Sequence, residues 1–309
     1  MRRALGIDTS NYTTSVAYYD CIAHQIRQER MLLPVKEGAL GLRQSDAVFH
    51  HVQQLPMVMD RLTAGGAVCP EVIGVSVRPR PVEGSYMPCF ESGRSQAEVL
   101  GSVLGVPVRT FSHQEGHIAA ALWSADCIDE LTDRFVAFHL SGGTTEAVLV
   151  RRKPEGGMDI EMIAGSLDLK AGQAIDRVAG MLGLGFPGGA ALDRLAQQCD
   201  EPIRCKPTLK GLNCCLSGLE NRCSKLIEEG REPAYVARFC FEYIAKTLLG
   251  MCEGIRAEYG ELPLLFAGGV SSNSIIRREL TEGFGVRFAA PEFSCDNAAG
   301  IALLAAGVL

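Results

Sequence analysis

The 309-residue chain is 47% hydrophobic and 21% charged, ordinary for a soluble protein and long enough for two domains with a sizeable core. Its net charge of -6 argues against binding nucleic acid by bulk charge, so an RNA contact would need a local basic patch or a partner. There is no run of ~18 apolar residues and no apolar leader after MRRALGIDTS, so a membrane span and export are not expected, and the 12 scattered cysteines read as free thiols of a reducing cytoplasm.

In chain order, Leu5 to Ile7 and Ser15 to Tyr19 predict two strands joined by a polar stretch from Asp8 to Thr14. Val48, Val52, Leu55 and Met59 recur at helical spacing and predict a helix over about 44–62. His50 and His51 on that helix read as surface residues. Val72 to Val77 predicts a strand, 92–104 a helix and 106–110 a further strand. The stretch from Arg78 to Glu91 holds Pro79, Pro81 and Pro88 and reads as a loop. Its Arg78-Pro79-Arg80-Pro81 segment is rigid and basic, either a phosphate contact or a solvated turn.

The opening pattern then returns. Phe135 to Leu140, the turn Ser141-Gly142-Gly143-Thr144-Thr145 and Ala147 to Val150 set Ser10 against Ser141, Thr13 against Thr144 and Thr14 against Thr145. This points to a duplicated lobe. Helices are predicted over 171–182 and 190–198, split by Gly185-Phe186-Pro187-Gly188-Gly189, and a long one follows over 232–259. Leu262 to Ala267 reads as a buried strand ending in Gly268-Gly269, before a helix over 272–284. Asp296 is placed to cap an alanine-rich closing helix. Strands alternating with helices predict an α/β fold.

The sharpest chemical feature is Ser112-His113-Gln114-Glu115-Gly116-His117. Histidines at i and i+4 share one helix face, where neutral imidazoles can hold one divalent metal; the plain reading is two surface histidines. In a zinc protease helix the glutamate directly follows the first histidine, and here Gln114 stands there, so Glu115 does not support a protease. Asp296 is a third ligand or only a helix cap, with Cys295 as a soft alternative. Ser141 to Thr145, Gly188-Gly189 and Gly268-Gly269 offer bare backbone N–H groups at strand or helix ends, suited to a phosphate or nucleotide or simply to turning the chain. Asp176 is set to bind a ribose hydroxyl or to pair with Arg177 in solvent.

The segments LGIDTS, SHQEGH, HLSGGTTE, AGQAIDRVAGMLGLGFPGG, LNCCLSGL, AGGVSSN and SCDNAA span nearly the whole chain. Together, and in this order, they resemble the catalytic subunit family of tRNA threonylcarbamoyladenosine synthase (TsaD/Gcp-like), once labelled O-sialoglycoprotein endopeptidase. The resemblance implies an α/β, actin-like ATPase (ASKHA, ribonuclease H-like) fold: two duplicated lobes with a ligand cleft between them. The first lobe is expected over 1–110, completed by the closing helix 296–309, and the second over 111–295 with the metal and nucleotide motifs.

The same resemblance implies metal-dependent transfer of a threonylcarbamoyl group from threonylcarbamoyl-adenylate to the N6 amine of the tRNA adenosine adjacent to the anticodon. It implies a cytoplasmic enzyme whose partners are tRNA and the other subunits of a modification complex. Carried over, His113, His117 and Asp296 match the ligands of one divalent metal, iron or zinc. His139, Leu140, Ser141, Gly142 and Gly143 match the substrate loop. Asp176, Gly189 and Asn273 match the remaining contacts to an adenine nucleotide or to the adenylate.

Departures from the family concentrate at one end of the machinery. Its first turn reads Glu-Thr-Ser-Cys-Asp-Glu-Thr; here it is Asp8-Thr9-Ser10-Asn11-Tyr12-Thr13-Thr14, which leaves Asp8 and Tyr12 at the catalytic turn and removes an acidic pair. A phenol, with an ordinary pKa of about 10, does not replace a carboxylate base. A glycine-proline-glycine loop is replaced by Arg78 to Gly84, Leu169, Lys170 and Gln173 stand where the family is acidic, and the short tail is missing. The metal and nucleotide motifs are kept while the acceptor side is altered, as in a diverged paralogue. The alternatives are a carbamoyl-type transferase with another acceptor and a non-catalytic nucleotide-binding regulatory subunit.

Overall fold

The computed structural model describes residues 2–10, 12–34, 42–131, 133–153, 156–294 and 296–309; Asn11 and Cys295, the soft ligand alternative, lie outside the described residues. The strands are β1 (Ala4–Ser10), β2 (Thr13–Asp20), β3 (Gln25–Leu32), β4 (Val72–Arg78), β5 (Val108–Ser112), β6 (Arg134–Leu140), β7 (Thr145–Arg152), β8 (Met158–Gly165), β9 (Thr208–Lys210), β10 (Asn213–Cys215), β11 (Leu264–Ala267) and β12 (Arg287–Phe288). The α-helices are α1 (Gln44–Ala64), α2 (Phe90–Leu104), α3 (His113–Ser124), α4 (Ala171–Met181), α5 (Gly189–Ala196), α6 (Ser217–Glu228), α7 (Pro233–Tyr259), α8 (Ser274–Phe284) and α9 (Ala299–Ala306). No described helix is long and apolar enough to cross a membrane.

The chain divides into two units. One comprises Met1–Asp133, Arg151–Ile160 and Glu292–Leu309; the other comprises Arg134–Val150 and Glu161–Pro291. The first unit thus runs past the boundary expected at residue 110, and α3 with its two histidines belongs to it and not to the second. The physical reason is a glycine contact between α3 and α9. A Cβ on Gly300 would sit 1.8 Å from the Gly116 carbonyl oxygen, so the two helix backbones touch.

In the first unit the sheet order is β3-β2-β1-β4-β5, with β1, β4 and β5 parallel. Along β1 the side chains alternate. Leu5 and Ile7 join a cluster with Leu55 and Val58 of α1 and Ala97 of α2. Ala4 joins the opposite cluster with α9, and a Cβ on Gly6 would lie 2.5 Å from the Ala298 carbonyl oxygen. The period of two therefore carries Asp8 to the α9 side. The turn expected over 8–14 is shorter, because Asp8 to Ser10 and Thr13 to Ser15 pair across the ladder down to Ser10 opposite Thr13. Threonines suit a pleated strand, and this run is buried.

In the second unit the sheet order is β12-β11-β6-β7-β8, with β11 parallel to both β6 and β12. Read from the other edge, this repeats the first sheet: three consecutive strands, then two parallel additions. The core is one cluster in which Val136, Phe138 and Leu140 of β6 join Ala174, Ile175 and Val178 of α4 and the buried face of α7. Strand β3 and helix α6 escape the apolar pattern, since each is polar and half exposed, whereas β8 carries an alternation of Met158, Ile160 and Met162 with Asp159 and Glu161 that the predicted elements omit.

Two local readings change. His51 is fully buried and not a surface residue: its Nδ1 lies 2.8 Å from Thr14 Oγ1. Asp296 is not the cap of the closing helix. That helix starts at Ala299, whose N–H donates to Asn297 Oδ1 at 3.0 Å, which leaves the Asp296 carboxylate for other partners.

Candidate metal centre and ligand loops

Helix α3 begins at the first histidine because Ser112 caps it. The Ser112 hydroxyl accepts from Glu115 N at 3.2 Å, and Glu115 Oε2 accepts from Ser112 N at 2.7 Å, a reciprocal capping box. Glu115 Oε1 also accepts from Met158 N at 3.3 Å. This carboxylate is committed to structure, which accounts for its unsuitability as a protease base.

One turn apart on α3, the imidazoles of His113 and His117 meet edge to face, with ring centroids 4.3 Å apart. Their Nε2 atoms lie 2.9 Å from each other. Asp296 Oδ1 lies 3.2 Å from His117 Nε2 and 3.5 Å from His113 Nε2. Ser10 Oγ and Thr13 Oγ1 each donate to Asp296 Oδ2 at 3.4 Å, so the hydroxyls of the first hairpin turn the other oxygen toward the histidines. Among the described residues these three side chains form a group whose ligand atoms all lie within 4.8 Å of one another. Two imidazole nitrogens and one carboxylate oxygen are a donor set that suits zinc or iron and leaves further coordination positions open.

The charges here are strongly coupled. Burial pushes the Asp296 carboxyl up, but hydrogen bonds and charge from His113 and His117 hold it well below the usual carboxylate range. Burial opposes a charge on His113, yet the Asp8 and Asp296 carboxylates outweigh it and raise its pKa. Asp8 follows the same balance in reverse: burial raises its pKa, and His113 and Ser76 bring it net downward. Asp8 has no exposed surface; its Oδ1 lies 2.9 Å from His113 Nδ1 and accepts a short hydrogen bond from Ser76 Oγ. Tyr12 is 43% exposed at the hairpin tip, and its carbonyl accepts from Leu33 N at 2.8 Å. The basic loop leaves β4 next to this site, with Gln114 N donating to Pro79 O at 3.0 Å.

The nucleotide-type residues lie in the second unit. His139 is half-buried near the end of β6, and Leu140 is buried. Ser141 closes the following turn: its N donates to Thr144 O at 2.8 Å and its hydroxyl accepts from Thr144 N at 3.1 Å. Gly142 and Gly143 are exposed, and a Cβ on either would meet nothing. The start of α4 is clamped beneath this turn, with Ala171 N donating to Thr145 Oγ1 at 2.8 Å and Gly172 N to Ser141 O at 3.2 Å. Gly268, at φ +96°, lies against Leu140: an added Cβ would be 2.2 Å from the Leu140 carbonyl oxygen. Asn273 caps α8, its Oδ1 accepting from Ile275 N and Ile276 N at 3.1 and 3.0 Å, and its Nδ2 is buried without a partner among the described residues.

Asp176 does not pair with Arg177, which binds Glu220 at 2.7 Å instead. Its Oδ1 accepts from Gly188 N at 2.9 Å and so fixes the turn that opens α5 at Gly189. The structure therefore joins His113, His117 and Asp296 in one group, and links Leu140 to Gly268, Ser141 to Gly172 and Asp176 to Gly188. Sequence reasoning missed Ser10, Thr13 and Ser76 as partners of the acids. It also missed the S-x-x-E spacing of Ser112 and Glu115, a capping signature in plain view.

Comparison with known proteins adds the following. The family model described as "TsaD: tRNA N6-adenosine threonylcarbamoyltransferase" matches residues 38–303. A tRNA N6-adenosine threonylcarbamoyltransferase of Thermus thermophilus is 30% identical over 315 residues, covering 97% of this chain and 91% of the relative. Among solved structures, full-length HypF in its phosphate- and nucleotide-bound form aligns with a TM-score of 0.60 at 16% identity; 98% of this chain is covered, but it spans only 45% of that chain. The (R)-2-hydroxyglutaryl-CoA dehydratase component A of Acidaminococcus fermentans aligns over 100% of this chain and 99% of its own, with a TM-score of 0.54 at 15% identity. The fold is that of the actin-like ATPases.

Proposed function

The chain belongs to the TsaD family, the tRNA N6-adenosine threonylcarbamoyltransferases, and from that premise we propose that it transfers a threonylcarbamoyl group from threonylcarbamoyl-adenylate to the N6 amine of the tRNA adenosine beside the anticodon. In this reading His113, His117 and Asp296 hold one divalent metal. His139 to Gly143, Asp176, Gly189 and Asn273 hold the adenylate. The single observation that carries the reading is the convergence of His113 Nε2, His117 Nε2 and Asp296 Oδ1 within 3.5 Å of one another. A bound divalent metal would supply Lewis-acid polarisation of a carbamoyl or phosphate oxygen.

The protein's own residues divide the remaining work. Ser10 and Thr13 orient Asp296 through its second oxygen. The bare turn at Gly142 and Gly143 lets a phosphate or carboxylate approach the backbone N–H groups closely. Asn273 fixes the start of α8 beside Gly268-Gly269 through its Oδ1, which places that helix end near the proposed adenylate position.

A second reading, a carbamoyl-type transferase with another acceptor, rests on Tyr12 standing exposed at the hairpin tip where the family places an acid. One reconstitution separates the two. The purified protein, with and without the other subunits of the modification complex, is supplied with threonine, bicarbonate, ATP, the adenylate-forming enzyme and unmodified tRNA, and the digested tRNA nucleosides are analysed by mass. Threonylcarbamoyladenosine is the expected product. Metal and nucleotide bound without any modified adenosine would overturn tRNA as the acceptor and favour the second reading or a regulatory subunit.

A further inference from the structure

We propose that Asp8, held in place by Ser76, is a positioning residue that decides which ring nitrogen His113 turns toward the metal position. This rests on the metal reading above and assigns Asp8 a task other than proton abstraction from substrate. Asp8 lies inside β1, fully buried, and its Oδ2 has neither exposed surface nor a hydrogen-bond partner among the described residues. A substrate has no route to such a carboxylate. Its Oδ1 is shared by two donors, Ser76 Oγ and His113 Nδ1, the latter at 2.9 Å.

An ionised carboxylate only accepts hydrogen bonds. The proton between Asp8 and His113 therefore sits on Nδ1, and when the ring is neutral, as a metal-bound imidazole is, its Nε2 lone pair faces the opposite side. That is the side where His117 Nε2 and Asp296 Oδ1 lie, at 2.9 and 3.5 Å. A carboxylate behind a metal-binding histidine fixes the tautomer and raises the basicity of the ligand nitrogen.

The scaffold supporting Asp8 is as specific as the contact. Strands β1 and β4 run parallel with Ile7 opposite Val75, which brings Ser76 alongside Asp8. Ser76 is fully buried, and the register of β4 against β5 shifts between Ser76 and Arg78. A bulge at this point re-aims the strand end while Ser76 stays under the carboxylate. Three elements, β1, β4 and the first turn of α3, thus converge on one oxygen atom.

The test is zinc affinity by chelator competition, together with the His113 tautomer from imidazole nitrogen NMR at an alkaline pH, above the raised His113 pKa, where the ring is neutral. It compares the wild type with Asp8→Asn, Asp8→Ala and Ser76→Ala, with thermal melting to confirm folding. The Asp8 variants should bind zinc roughly 10- to 100-fold more weakly, Ser76→Ala should lose less, and the Nδ1–H tautomer of the wild type should give way to a mixture in Asp8→Ala. Unchanged affinity and an unchanged tautomer in the variants would overturn the proposal. If Asp8→Ala fails to fold, Asp8→Leu takes its place in the tautomer arm, since an asparagine carbonyl oxygen still accepts from Nδ1–H, and Asp8→Asn and Ser76→Ala decide by zinc affinity. A wild type that binds no zinc would sink the metal reading alone. The tautomer arm then decides about Asp8: Nδ1–H lost in a variant supports the positioning role, and Nδ1–H kept in all of them contradicts it.

Discussion

Two imidazole nitrogens 2.9 Å apart cannot both carry a proton without repulsion, and the nearby Asp296 oxygen adds a second acceptor to the same small volume. The i, i+4 spacing of His113 and His117 makes this pair readable from the chain, because the helical period alone brings them together. Asp296 is readable only as a residue with two alternatives. Its choice between them depends on Asn297 taking over the helix start and on contacts to Ser10 and Thr13, far away in the chain. His51 shows the opposite case. The amphipathic pattern around it suggests a surface residue, yet it is buried against Thr14, and burial lowers its pKa to about 4, with the Asp8 charge and a backbone hydrogen bond opposing. Its ordinary value is about 6.5. Between these two values the unfolded chain binds the proton and the folded chain does not, so stability rises with pH across that window and is lost as pH falls through it. Urea melts from about pH 4 to about pH 6.5 should show this slope, and His51→Gln should flatten it; an unchanged slope in the variant would remove His51 as its source.

At the scale of elements, the metal ligands are positioned by a contact between helices, not by the histidine helix alone. Helix α9 lies on the sheet over Gly6 and Gly74, and α3 lies on α9 through Gly116 and Gly300. An added methyl at Gly300 would fall 1.8 Å from one backbone oxygen and 2.8 Å from the Ala120 nitrogen, and neither atom can move without its helix. Gly300→Ala should therefore destabilise the protein by at least about 1–3 kcal/mol and weaken metal binding as α3 is pushed away from Asp296. Chemical denaturation and metal titration of the variant check both effects; wild-type stability would contradict this packing. The helices and buried strands are legible in the sequence because their periods are strong. The polar strand β3 and helix α6 are not, since few of their residues are apolar, while β8 has a legible period of two at Met158, Ile160 and Met162.

For the whole molecule, the duplication first visible in two short hydroxyl-rich turns extends to the complete strand order of both sheets. The division between the units is less legible than the repeat. The first unit is assembled from three separate stretches of chain, so no single boundary in the sequence marks it. The same discontinuity brings residues 8, 113, 117 and 296 into one site, near both ends and at the first third of the chain. The family resemblance reaches this site through motifs preserved in order, while the partners of each acid become visible only in three dimensions. The metal centre is tested most directly by the metal content of the protein, purified without chelators and reloaded with zinc or iron(II), for the wild type and His113→Ala. One tightly held ion per wild-type chain is expected, and its loss in the folded variant; a wild type that retains no metal, or a variant that keeps it, would contradict the metal centre at His113, His117 and Asp296.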